Sequence, residues 1–283
     1  MSASGPLSAG VPGQGVEQPG AARAPEVAPR SDVVAGSAED PLTDALLIAR
    51  GAVEAGLGLK LLGGLAVRVL CPDYPPRLRR DQDIDFACLS KERKAVAAHL
   101  EQVGCQADRR FNNLNGDRQM YFTARSGRPI DVMVDRLTMC HTLDFRPSFG
   151  RQPMTIDVAD LLLSKLQIVE LNAKDARDIV QLLSCMPIGP ATDQPVIDTD
   201  RFCGVLASDW GWWRTVTGNL DKLPGLLAEH PELAQPGMPF DPLAQAARLK
   251  ELADETPKSV KWRMRAGVGD KMRWYELPEE VGH

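Results

Sequence analysis

Arg79-Arg-Asp-Gln-Asp-Ile-Asp-Phe86 is the stretch on which the reading of this chain turns. Side chains alternate along a strand, so Asp83 and Asp85 share one face while Ile84 and Phe86 point into a core. Asp81 joins the acidic face if the strand begins early. Two carboxylates fixed side by side repel each other, and a bound cation is the usual way to neutralise them. The plainer reading is a solvated strand end, and the flanking sequence decides between the two.

Downstream, Pro129-Ile-Asp-Val-Met-Val-Asp135 alternates in the same way. Ile130, Val132 and Val134 form an apolar face, and Asp131 lies on the other with Met133 and Asp135. Asp135 itself reads as a turn or cap residue. If this strand lies beside the first, Asp83, Asp85 and Asp131 converge, and such hard oxygen donors suit Mg²⁺ or Mn²⁺. Two such ions about 4 Å apart activate an attacking hydroxyl and stabilise a leaving phosphate oxygen. Upstream, Gly63-Gly64 sits between a short apolar strand, Leu59–Leu62, and a short helix, Leu65–Leu70. Exposed N–H groups at such a turn meet phosphate oxygens, and the helix N-terminus favours their charge. A tight turn is the simpler reading of the glycines, and their phosphate role depends on the Asp pair.

The order strand, Gly-Gly, helix, Asp-x-Asp strand, helix, strand pair with a third Asp resembles the nucleotidyltransferase superfamily related to DNA polymerase beta. Gly63, Gly64, Asp83, Asp85 and Asp131 carry the resemblance. Arg79-Arg80 matches the basic residue before the Asp-x-Asp strand in minimal bacterial members, and Lys165 with Lys174-Asp175-x-x-Asp178 is similar to the helical region of AbiEii-type toxins and antibiotic-modifying enzymes. The likeness covers roughly residues 43–185. It implies an α/β (α+β) fold with a mixed sheet flanked by helices, and transfer of a nucleoside monophosphate from an NTP to an acceptor hydroxyl. Asp83, Asp85 and Asp131 would then be catalytic metal ligands for Mg²⁺ or Mn²⁺. Gly63, Gly64 and Lys165 would bind the nucleotide. The implied partners are an NTP, an acceptor that is a small molecule or a tRNA or protein, and an antitoxin. Two departures, Gly64-Leu65 in place of a turn serine and Asp81 in place of Ser or Thr, sustain a competing reading: a nucleotide-binding or scaffold protein that keeps the fold without transfer.

The rest of the chain sets limits. Its 283 residues allow about two domains. Hydrophobic residues at 43% and charged residues at 25% are ordinary for a globular protein, and the net charge of -5 excludes a nucleic-acid coat as a whole-chain property. The sequence has no 18-residue apolar run and no signal-peptide pattern, so no membrane partner and a cytoplasmic location are expected. Six scattered cysteines without a CxxC pair argue against zinc and against a disulfide framework. Residues 1–41, rich in Gly, Pro, Ala and Ser, read as a disordered tail. Residues 42–156 read as the catalytic domain and 157–283 as a helical C-terminal region. Thr43 is the expected N-cap of the first helix, with Leu46, Ala49, Val53 and Leu57 on its buried face; Ser90 is expected to cap the helix after the Asp-x-Asp strand. In the last part, Trp210, Trp212 and Trp213 read as a helical core contact. Lys258–Arg265 mixes four cations with Trp262, a pattern that suits nucleic-acid binding but is also that of a docked amphipathic helix.

Overall fold

In the computed structural model, which describes residues 40–76 and 82–277, the Asp-x-Asp stretch becomes an inner strand of a mixed sheet. Helix α1 (Pro41–Glu54) and strand β1 (Leu59–Leu61) lead to α2 (Gly63–Leu70), then β2 (Ile84–Cys88), α3 (Arg93–Gln102), β3 (Gln106–Ala107) and α4 (Arg109–Asn115). Strands β4 (Gln119–Thr123) and β5 (Pro129–Val134) complete the sheet, in the order β1-β2-β5-β4-β3. β2 and β5 run parallel and the other neighbours antiparallel. The hairpin β6 (Arg136–Thr138) and β7 (Thr142–Asp144) follows. After it come α5 (Val158–Leu166), α6 (Ala173–Cys185), the short parallel pair β8 (Ile188–Gly189) and β9 (Ile197–Asp198), α7 (Thr199–Ser208), α8 (Trp210–Glu229), α9 (Pro242–Glu255) and α10 (Val260–Val268). The fold class is therefore the expected one: a mixed sheet flanked by helices, followed by a helical C-terminal region. Among the described residues no helix is long and apolar enough to cross a membrane. Residues 1–39, with most of the expected disordered tail, and Arg79, Arg80 and Asp81 lie outside the described residues.

The alternation read from sequence holds for both acidic strands. Ile84 and Phe86 of β2, and Ile130, Val132 and Val134 of β5, are buried on one face. Met120 and Phe122 of β4 join that face, and the opposite face is polar. The start of α1 differs from expectation. Asp40, not Thr43, is the N-cap: its carboxylate accepts from Leu42 N, and Pro41 opens the helix, where its missing N–H costs nothing. The cap shift comes with a turned face. Ala45, Ile48, Ala49 and Ala52 are buried, whereas Val53 is 41% exposed. Likewise Glu92, not Ser90, precedes α3, and the Ser90 amide donates to Asp135, which adopts the left-handed region at φ 61°.

Two anchors tie the sheet to the helices. Tyr74, in the loop that enters β2, is buried; its hydroxyl donates to Leu233 O at 2.5 Å and its ring lies under Arg177 of α6. His141, at the β6–β7 turn, is buried against Trp212 of α8, and its Nε2 is 2.9 Å from Thr215 Oγ1. Burial pushes the His141 pKa from 6.5 down to about 4, because an imidazolium there would lose its hydration. The unfolded chain therefore binds a proton near pH 6.5 that the folded chain refuses until about pH 4. His141 thus adds stability that is present above pH 6.5 and lost as pH falls through that window, about 3 kcal/mol in all. His141→Gln is expected to flatten this part of the profile; denaturant melts of both proteins from pH 4 to 7 measure it, and parallel profiles would refute the assignment.

Candidate active site

The polar face of the sheet gathers its acidic residues through strand register. Asp85 on β2 and Asp131 on β5 are direct partners in the parallel pair, and Tyr121 on β4 is the partner of Asp131 on the other side. Adjacent strands lie about 4.8 Å apart. At roughly 5–6 Å, two carboxylates in an effective dielectric near 20 repel by about 3 kcal/mol. The Asp85 pKa reflects this: burial raises it from 3.8 to about 6, Asp131 and Asp83 push it the same way, and Lys165 and Lys174 oppose them. Gln119 of β4 donates through Nε2 to Asp131 Oδ1, which fixes the orientation of that carboxylate. Asp83 precedes β2 on the same face and is exposed.

The glycine turn is pressed against this face. Gly63 has φ 67°, a conformation that other residues adopt at a cost, and a Cβ there would overlap the Asp85 carboxylate, with Asp85 Cγ at 3.1 Å. Leu62 N donates to Asp85 O at 2.8 Å, so the turn is tied to β2 through the backbone as well. Gly63 and Gly64 are themselves the first residues of α2, and no side chain caps that helix. Its leading N–H groups accordingly have no capping carboxylate to satisfy them, the arrangement that favours a bound anion.

Lys165, expected at the nucleotide, is instead an interior residue. It is buried on α5, with Nζ 2.8 Å from Asp178 Oδ2 and 3.5 Å from Asp175 Oδ1, both on α6. Burial alone would lower its pKa, but the two aspartates outweigh it and hold Lys165 charged. Asp175 and Asp178 are thus interhelical partners, as their spacing suggests, and buried ones.

A cleft beside the turn holds cations of α2 and α6. It is lined by Gly64, Gln82, Lys174, Arg177 and Asp178, with Arg68 already paired to Asp40 at its edge. A Cβ on Gly64 would stand 2.9 Å from Gln82 Nε2 and 3.5 Å from Asp178 Oδ2. Lys174 is exposed and makes no ion pair among the described residues. Arg177 donates from Nη2 to Pro75 O at 2.6 Å, while its buried Nε has no hydrogen-bond partner among the described residues. The spacing Lys174-x-x-Arg177 along one helix face was the available signal.

Structure therefore groups Gly63, Asp85, Asp131 and Lys165, and sets Gly64 against a neighbouring cleft with Lys174 and Arg177. Among the described residues, no three His, Cys, Asp or Glu side chains are grouped closely enough to hold a metal ion by themselves. The donor chemistry still fits Mg²⁺, which is usually held by one or two carboxylates together with substrate phosphates rather than by an all-protein cage.

No protein-family model matches the chain, and no curated protein matches it. Among solved structures, an antigenic nucleotidyltransferase-like protein from Paracoccidioides brasiliensis aligns over 79% of this chain and 96% of that one, at 13% identity and a TM-score of 0.36. A likeness that low carries no weight for fold or function.

Gly63→Ala is expected to destabilise the fold by about 2 kcal/mol or more, from the positive φ and from the displaced carboxylate. In the Asp85→Ala background the carboxylate share should be recovered, leaving only the backbone cost. A double-mutant cycle by chemical denaturation checks this, and strictly additive effects would remove the contact from the explanation.

Proposed function

We propose that this chain is a metal-dependent nucleotidyltransferase that moves a nucleoside monophosphate from an NTP to an acceptor hydroxyl and releases pyrophosphate. The observation that carries the proposal is the in-register pair Asp85 and Asp131, backed by the Gly63 turn and flanked by a cationic cleft. Neighbouring carboxylates on one face, beside helix N–H groups and the cations of the cleft, suit a cation and a polyphosphate arriving together. Residues 42–156 would form the catalytic domain and 157–283 the helical region that completes its phosphate site.

Asp85 and Asp131 would hold Mg²⁺ or Mn²⁺ together with the substrate phosphates, with Asp83 beside them at the start of β2; when bound, the ion supplies Lewis-acid stabilisation of the phosphate oxygens and of the attacking oxygen. The N–H groups of Gly63 and Gly64 would face the β- and γ-phosphates. Lys174 and Arg177 would balance the triphosphate charge from the cleft. Lys165, spent on Asp175 and Asp178, would act by keeping α6 and its cations in place and by tempering the charge of Asp85. The acceptor oxygen forms a bond to the α-phosphorus as the bond to the bridging oxygen breaks. The hydroxyl proton goes to the Asp131 carboxylate, oriented by Gln119, and pyrophosphate departs with the bond electrons. Catalysis of this kind is mostly positioning and electrostatics.

The test is Mg²⁺-dependent pyrophosphate release with each NTP against a panel of tRNA, protein and small hydroxyl-bearing acceptors, with an antitoxin sought by co-purification. Asp85→Asn should lower turnover by about 10²–10³-fold without lowering the melting temperature, since it removes a like-charge repulsion. Lys174→Gln should raise the KM for NTP several-fold with kcat little changed. Wild-type turnover in Asp85→Asn would end the proposal, and metal-dependent NTP binding with no transfer to any acceptor would favour the binding-protein reading.

A further inference from the structure

A second cavity, of about 500 Å³, lies between the start of α8, helix α10 and the C-terminal segment that follows it. The segment crosses the first turn of α8 so closely that a Cβ on Gly211 would stand 2.7 Å from Trp274 O. Glu276 N then donates to Cys140 O at 3.0 Å, which fastens the segment to the β6–β7 turn. Trp274 donates from Nε1 to Thr215 and meets Trp210 edge to face at 5.8 Å. Trp262 of α10 also lines the cavity, and its buried Nε1 has no hydrogen-bond partner among the described residues. A buried indole N–H normally finds a partner, so an acceptor is missing here.

The charges around these rings select the occupant. Lys261, Arg265 and Arg273 line the cavity against Asp209 and Glu276. Asp209 is spent on the amides of Gly211 and Trp212 as the cap of α8. Arg265 stacks over Trp210 at 4.6 Å and holds the carbonyls of Gly269 and Met272. Lys261 and Arg273 are exposed and make no ion pair among the described residues. With Asp209 used as a cap, three cations face one remaining carboxylate, Glu276, a balance that favours an anionic ligand over a cationic one. Flat rings with cations at the rim suit a base that stacks and a phosphate that pairs. The cation excess runs beyond the cavity: residues 258–273 hold six Lys or Arg and one Asp, in a chain of net charge -5. A single nucleotide needs no such track, whereas a strand does.

We propose that the Trp262–Trp274 cavity and the basic face of α10 bind a single nucleic-acid strand, with a base seated among the tryptophans and phosphates on Lys261 and Arg273. This site is separate in its residues from the carboxylate site and does not depend on the transfer reaction.

The experiment is fluorescence anisotropy of a labelled 12-nucleotide single-stranded RNA with the full chain, across a salt series, with tryptophan quenching as a second readout. Wild type should bind the strand and quench. Lys261→Gln with Arg273→Gln, both at exposed positions, should weaken binding about tenfold or more and reduce the slope of log affinity against log salt by about 1.4. Trp262→Leu should lose most of the quench and about tenfold in affinity, with circular dichroism confirming the fold. Asp85→Asn should bind as wild type does, so failure of the transfer reading leaves this result intact. Unchanged affinity in the double variant, equal binding of a 12-base-pair duplex, or AMP binding as tightly as the strand would each overturn the proposal.

Discussion

The Asp85 carboxylate rests on the bare Cα of Gly63, and much of the molecule is arranged around that contact. It requires a glycine in the left-handed region, which places the start of α2 against β2. It requires β2 to be an inner strand, so that Asp85 meets Asp131 in register on β5. Lys165 and Lys174 oppose the effect of the neighbouring carboxylates on Asp85. An apolar residue at position 85 would relieve that tension, so retention of the charge is a cost to folding that a cation and polyphosphate would offset on binding.

Helices α5 and α6 explain how the charge is tolerated without a ligand. Lys165 is almost fully surrounded by protein, and an isolated ammonium there would be expensive. Asp175 and Asp178 make it affordable, and their own negative charge is in turn satisfied by it. The cluster is thus a buried polar network spanning two helices and the sheet, and the register of α6 against α5 follows from it. That register is what presents Lys174 and Arg177 to the cleft beside Gly64.

Much of the sheet was legible because β5 alternates strictly and β2 does so over Ile84–Phe86, after which Ala87 and Cys88 continue a buried run. The parallel pairing of these strands could only be inferred from their acidic faces. The first helix was misread at its start: Thr43 is a good cap by type, but Asp40-Pro41 offers a cap and a first-turn proline together and wins. Strand β3, helix α4 and the β6–β7 hairpin were not foreseen, since segments of two to seven residues carry too few positions for a period to show. In the candidate site, the glycines and aspartates stood out as types in order. Lys174 and Arg177 did not, because the cleft joins residues about a hundred positions apart and only tertiary packing makes them neighbours.

The Tyr74 anchor has a consequence for motion. Tyr74 is held by the carbonyl of Leu233 and by Arg177, which also donates to Pro75 O, both from the helical region. Tyr74 therefore does not leave its place alone. Any opening that frees it must also loosen α6, and with it the partners of Lys165. Displacing Tyr74 thus disturbs the helix that carries Lys174 and Arg177, so the stability of that helix is coupled to a residue far back in the chain.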